Sequence, residues 1–231
     1  MSKEDVKEIE KERDEDKKEM LHSVYANNKG YGSEAALGKI IKAMSVVDRT
    51  YFVPSELRAI PYGDIPLPIG HDQTISQPTT VARMLLLSRV KRGMRVLEVG
   101  SGSGWNASLL AFLAHPGEVV SCERIKPLSD FAKRNFREMK KGTKEKSAKS
   151  LNVDFMKGSV FSFPRLRRKR FDLLIVTAAA PSELINELKR FNFKRLVFPS
   201  EEGSLEVWAR RGKKLILEKK EEGYAFVPLK K

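Results

Sequence analysis

A single cysteine and three histidines in 231 residues set the first limits on chemistry. One thiol can form no internal disulfide, which suits a reducing compartment such as the cytoplasm. Histidines at 22, 71 and 115 lack the paired spacing of a dedicated zinc site, so no metal is expected. Cys122 lies in an apolar run and reads as a buried strand residue. No stretch of about 18 apolar residues occurs, so no membrane-spanning helix is expected. The first twenty residues have no apolar stretch of the kind a signal peptide needs. They hold six basic and nine acidic side chains, net −3, and read as a charged tail, either a solvated helix or disordered.

What the chain does have is positive charge. The total is +14, so residues 21–231 sum to +17. Such a field favours anionic partners, or is simply a solvated, lysine-rich surface. Forty-one per cent hydrophobic residues is enough for a core, and the length suits one domain. We expect that domain over residues 21–231, as a monomer, with a helical segment over 21–90 and a sheet over 91–231. The tail should be dispensable for chemistry.

Leu37, Ile40, Ile41 and Met44 keep a helical period. Four prolines between 54 and 68 then predict an extended, loop-like path through residue 70. A helix starts at Pro78, with Ser76 or Gln77 at its cap. Beyond it, strands and helices alternate. Strands are predicted at Arg95–Val99, Glu118–Glu123, 153–157, 171–177 and 195–199. Helices are predicted at Trp105–Ala114, 127–140 and 182–190. An antiparallel pair, 205–210 and 214–219, turns about Arg211-Gly212-Lys213. The alternation implies an α/β fold, a doubly wound and mostly parallel sheet.

Between the first of these strands and its helix lies Glu98-Val-Gly100-Ser-Gly102-Ser-Gly104. Glycines let the chain turn tightly and a ligand approach the backbone. The dinucleotide fingerprint wants glycine where Trp105 stands, and no Gly-Lys-Ser/Thr follows, so this is not a P-loop. Glu98 at the strand end would repel a pyrophosphate but suits a ligand with a sulfonium and an ammonium. Glu123, closing the next strand, can accept both ribose hydroxyls of an adenosine. The combination favours S-adenosylmethionine over NAD.

Several segments together resemble the protein-L-isoaspartate (D-aspartate) O-methyltransferases. Val47-Asp-Arg-Thr-Tyr-Phe-Val-Pro54, Asp64-Ile-Pro-Leu-Pro-Ile-Gly-His71, Gln73-Thr-Ile-Ser76 and the glycine loop are similar to that family's signatures. So are Ile175-Val-Thr-Ala-Ala-Ala-Pro181 and Phe226-Val-Pro228. The resemblance implies a Rossmann-like, seven-stranded class I fold. It also implies methyl transfer from S-adenosylmethionine to the free carboxylate of isoaspartyl residues, a protein repair. It implies Ser76 as the active-site serine, and Gln73, Thr74 and Ile75 as a strip over cofactor and substrate. Glu98, Gly100, Gly102, Gly104 and Glu123 become cofactor contacts, joined by Gly158 and Ser159 after the third strand. Val227 becomes a backbone wall of the peptide site. The chain departs from the family at Thr79, where a histidine is usual, and at Ser159, where an aspartate usually holds the adenine amino group. A serine there accepts the same bond without charge assistance and should hold it more weakly.

The chemistry is consistent with these residues. A carboxylate with a reference pKa near 4 is already ionised at neutral pH. It needs alignment rather than a base, and a neutral serine suits that. Ser76 as a hydrolytic nucleophile lacks the Gly-x-Ser-x-Gly elbow. Ser76 as a helix cap alone is compatible with either reading. A nucleic-acid methyltransferase would use the basic runs 140–149 and 165–170. It lacks the Asn/Asp-Pro-Pro-aromatic motif, however, since Thr177-Ala-Ala-Ala-Pro181 stands in that place. A diverged paralogue that binds without catalysis is the remaining alternative.

Overall fold

The structure, a computed structural model, describes residues 9, 12, 14–181, 183–212 and 214–229. Most of the expected charged tail, Ser182 and Lys213 of the predicted turn lie outside these residues. The first continuous element is α1, Glu15–Asn28, capped by the Asp14 side chain. The expected boundary at residue 20 falls inside this helix. Met20 and Leu21 are both in the core, and Lys17 is buried against Glu12 and Asp48. Residues 15–20 are therefore helical, with Lys17 and Met20 packed inward and Glu15, Asp16 and Glu19 exposed.

Helix α2, Glu34–Val46, buries the residues that its period predicts, Leu37, Ile40, Ile41 and Met44. The proline-rich path that follows carries two 3-10 turns, then a feature the prolines concealed. Strands β1, Leu67–Gly70, and β2, Gln73–Ile75, form a small antiparallel hairpin. Its tip, His71-Asp72, has positive φ at both residues (55° and 58°), the geometry of a tight two-residue turn. Helix α3, Pro78–Ser88, follows with proline in its first turn.

The main sheet comprises β3 Arg95–Val99, β4 Glu118–Glu123, β5 Asp154–Lys157, β6 Arg170–Val176, β7 Asn192–Pro199, β8 Ser204–Arg211 and β9 Lys214–Glu222. Its order is β5-β4-β3-β6-β7-β8-β9. The first five strands are parallel, and β8 and β9 add antiparallel edges. Both faces are apolar, as a covered parallel sheet requires. Val96, Leu173, Ile175 and Val197 face a thick layer with α1–α3, α4 Trp105–Ala114 and α5 Lys126–Gly142. Leu97, Val99, Leu174, Val176 and Phe198 face a thin layer. That layer holds α7 Pro164–Arg168 and α8 Leu184–Leu188. A short α6, Lys146–Lys149, precedes β5. The chain reverses its winding at β3, between β4 and β6, so a crevice opens there beyond the strands' carboxyl ends, where ligands bind in such folds.

Candidate active site

The glycine loop lies at that crevice. Gly100 has φ +98°, and a Cβ there would stand 2.6 Å from Thr177 Oγ1. Thr177, at the end of β6, uses that hydroxyl to donate to the Gly100 carbonyl at 2.6 Å. Gly100 is thus fixed by backbone and neighbour together. Gly104, at φ +90°, is held by packing: its Cβ would meet the Ala132 backbone of α5 at 3.0 Å. It lines neither pocket of the crevice and serves helix packing. Gly102 donates its N–H to Glu123 Oε2 at 2.9 Å, and Ile125 N–H reaches Glu123 Oε1 at 2.9 Å. Each Glu123 oxygen keeps a lone pair for another donor.

Two small pockets, each about 50 Å³, meet at Gly100. The first joins Gln73, Glu123, Gly158, Ser159 and Phe161. The second joins Thr74, Ile75, Ser76, Gly102, Asn106 and Thr177. The hairpin strip 73–76 therefore borders both, and the residues expected there come together. Val227 lies close by through the chain end. Ala179 N–H donates to the Val227 carbonyl at 2.8 Å, tying the C-terminal segment to the loop after β6.

Glu98 lines neither pocket. It is fully buried, accepting from Asn106 Nδ2 at 2.7 Å and from the Ser121 hydroxyl, which also contacts Ser101. Burial pushes its carboxyl up to about 7, with Glu123 nearby raising it further and the two hydrogen bonds opposing. The sequence suggested a direct ligand contact, but the geometry makes Glu98 a buried support. Asn106 stands in front of it. A carboxylate only accepts, so Asn106 turns its NH₂ to Glu98, and the residue borders the second pocket. The Asn106 Oδ1 is buried with no partner among the described residues. A buried acceptor without a donor costs on the order of 1–3 kcal/mol, and a ligand donor in the adjoining pocket would recover it. Sequence reading missed Asn106. The signal was there, an asparagine at the second position of a mostly apolar helix, directly after the glycine loop.

Ser76 is half-buried and is not the helix cap. Gln77 holds that position without a side-chain cap bond. The cap comes from afar: Asp64 accepts from Thr79 N–H at 2.9 Å and from the Thr79 hydroxyl at 2.7 Å. Thr79 thus serves helix α3 and lines neither pocket. The Ser76 carbonyl is held by Arg49, whose Nη1 donates at 2.8 Å. Arg49 also donates to the carbonyls of Pro61 (2.8 Å) and Ile65 (3.3 Å), and stacks on Trp105 at 4.6 Å. Burial lowers the Arg49 guanidinium to about 9, with Asp64 opposing. His71, at the exposed hairpin tip, makes no hydrogen bond to Ser76 among the described residues, so no hydrolytic pair exists. Cys122 is buried, and burial raises its thiol to about 12, which removes it as a nucleophile.

The sequence profile described as Protein-L-isoaspartate(D-aspartate) O-methyltransferase (PCMT) matches residues 16–231. The chain belongs to that family. A Methanopyrus kandleri protein of that name is 38% identical over 205 residues, 83% of each chain. One from Hyperthermus butylicus is 42% identical over 160 residues; the match spans 64% of this chain and 62% of that relative, just under two thirds of its length. Among solved structures, a Plasmodium falciparum protein superposes with a TM-score of 0.75 and 26% identity, over 93% of this chain and 98% of that one. It is described as a protein-L-isoaspartate O-methyltransferase in complex with S-adenosyl-L-homocysteine.

Proposed function

We propose that this protein transfers a methyl group from S-adenosylmethionine to the free carboxylate of isoaspartyl residues in damaged proteins or peptides. Family membership gives the reaction class, and one observation carries its assignment to this crevice: the buried, unpartnered Asn106 Oδ1 beside the glycine loop. An acceptor there, backed by the Glu98 carboxyl, suits the ammonium of the cofactor's methionyl part. On the other side of Gly100, Glu123 has lone pairs left for ribose hydroxyls. Ile125, Val160 and Phe161 offer apolar walls to a base, with Gly158 and Ser159 at its edge.

The cofactor supplies an electrophilic methyl group; the rest is the work of these side chains. Pockets that hold a whole small ligand measure roughly 300 Å³ or more. The two 50 Å³ pockets are parts of one site, divided by the strip Gln73–Ile75 and Ser76. On this reading a whole cofactor needs more room than these pockets give, and the strip 73–76 that borders both is the element whose displacement would join them. The substrate carboxylate arrives ionised, so the groups around Ser76 need only align it and exclude water. They are neutral: the hydroxyls of Ser76, Thr74 and Thr177 with backbone around them. A carboxylate base there would repel the substrate. Val227, whose carbonyl accepts from Ala179, still has its N–H, its side chain and one carbonyl lone pair to offer a peptide. We take the enzyme to act as a cytoplasmic monomer, in keeping with its single buried thiol.

Titration with S-adenosyl-L-homocysteine tests the cofactor half of this reading. Wild type should bind one equivalent. Asn106→Ala should weaken binding by at least about tenfold, the loss of a charge-assisted hydrogen bond. Equal affinities would remove Asn106 from the site.

A further inference from the structure

A second, larger cavity among the described residues lies away from the glycine loop. It measures about 960 Å³, within the range of small-molecule pockets. It opens at the amino-terminal end of the parallel strands, bounded by the turn that leads into β3 and by His115, just before β4. The whole of β3, roughly 16 Å at 3.3 Å per residue, separates it from the crevice.

Its floor is hydrocarbon and its rim is cationic. Ile40 of α2, Leu86 of α3, Phe112 and Leu113 of α4, Leu151 and Val207 form the apolar surface. Lys39, Arg89, Lys91, Arg92, Arg195 and Lys219 surround it. Among the described residues Glu218 is the only carboxylate lining it, and two arginines share that group: Arg195 at 2.6 Å and Arg211 at 3.0 Å. Lys219 is paired with Glu221. Among the described residues, Lys39, Arg89, Lys91 and Arg92 have no carboxylate partner. Burial first, and then the charge of Arg89, push the Arg195 guanidinium down, so the cations crowd one another. Arg89 itself is held at φ +51°, a left-handed conformation that an L side chain adopts at a cost of roughly 1–2 kcal/mol. Crowded, unneutralised cations over an apolar floor are the complement of one ligand chemistry, an anionic head on a hydrocarbon body. A second copy of this chain would bring like charges together on the same face.

We propose that this cleft binds a monomeric long-chain carboxylate, its hydrocarbon on the Leu86–Phe112–Val207 floor and its head between Arg89 and its basic neighbours. This is a site apart from the one that handles the cofactor, and it stands whether or not the chain methylates isoaspartyl residues.

Calorimetric titration of the full chain with dodecanoate below its micelle concentration tests the proposal. It should show saturable one-to-one binding. Dodecyltrimethylammonium, with the same body and opposite head, and inorganic phosphate, with charge and no body, should not compete. Arg89→Glu should weaken binding by about tenfold or more, while Arg137→Glu, on the exposed side of α5, should leave it unchanged. Ala36→Phe, which fills the cleft, should block it. Melting curves and affinity for S-adenosyl-L-homocysteine, unchanged in Arg89→Glu, would show that the variant is folded. Absence of dodecanoate binding, equal binding of the cationic amphiphile, indifference to Arg89→Glu, or binding only to phosphatidylglycerol vesicles would each overturn the proposal.

Discussion

The two ends of the parallel sheet are built on opposite principles. At the carboxyl ends of β3, β4 and β6, glycines bring backbone close together. Two carboxyl groups are buried or nearly so, and the free space is two pockets of about 50 Å³. At the amino ends lies a cleft of about 960 Å³ with an aliphatic floor and unpaired cations. One end is tight, with two carboxyl groups beneath it and the strip 73–76 bordering both of its pockets; the other is basic and open. The difference shows how little the overall charge of +14 says about a site. A strongly basic protein can keep its acidic groups where a cationic cofactor needs them, because short-range burial and not net charge sets the local field.

The comparison breaks most sharply at Gly100. Gly100→Ala places a methyl 2.6 Å from the Thr177 hydroxyl on backbone at φ +98°. Methyl transfer should fall by at least about 100-fold, the cost of a misplacement near 1 Å in an aligned site. Steady-state rates with the purified variant give the answer, and near-normal turnover would contradict the close packing described. Arg49→Lys comes next. It leaves at least two of the carbonyls of Pro61, Ile65 and Ser76 without their donor. Unfolding should be easier by about 3 kcal/mol, read from urea melts. Turnover should drop further than the stability loss explains, because Ser76 is no longer held.

Ser76→Ala should lower kcat roughly tenfold while cofactor affinity stays within about twofold, since the hydroxyl positions the acceptor and not the cofactor. Parallel loss of both in kinetics and titration would move Ser76 to the cofactor side. Glu98 predicts a pH dependence at this end of the sheet alone. Its carboxyl, raised to about 7, is largely protonated below that pH, and a bound cation favours the ionised form. Affinity for S-adenosylmethionine should therefore rise as pH increases toward 7 and level off above it. Glu98→Gln should flatten the profile in titrations from pH 6 to 8. Stability runs the other way. A carboxyl raised above its unfolded value is favourable at acid pH and loses that advantage as pH climbs from about 4.5 to 7. The smallest effect is expected at Ser159→Asp, which should tighten cofactor binding by up to about tenfold through charge assistance. No change would place the adenine elsewhere.

Much of this was legible in the sequence, for physical reasons. Strands β3, β4 and β6 are rich in Val, Leu and Ile and bounded by glycine, proline or charge, and α2 and α5 show their buried faces by period. The glycine loop announced itself because left-handed backbone leaves few alternatives. Long-range contacts left no such trace. The hairpin of β1 and β2 was hidden by prolines that read as loop. The cap of α3 comes from Asp64, fifteen residues before Thr79. Arg49 gathers three carbonyls from a segment that no local pattern connects. Glu98 was read as a contact because its position at the strand end was visible and its burial behind Ser121 and Asn106 was not. The basic cleft draws on four helices, three strands and the loops between them, so no single stretch carries it.

The central claim is that this crevice methylates an isoaspartyl carboxylate without a general base. The most direct test is labelled-methyl transfer to an isoaspartyl peptide and to its normal aspartyl twin, followed by mild base. Base-labile label on the isoaspartyl peptide alone is the predicted result; no transfer to that peptide, with base-stable label on RNA instead, would contradict the account.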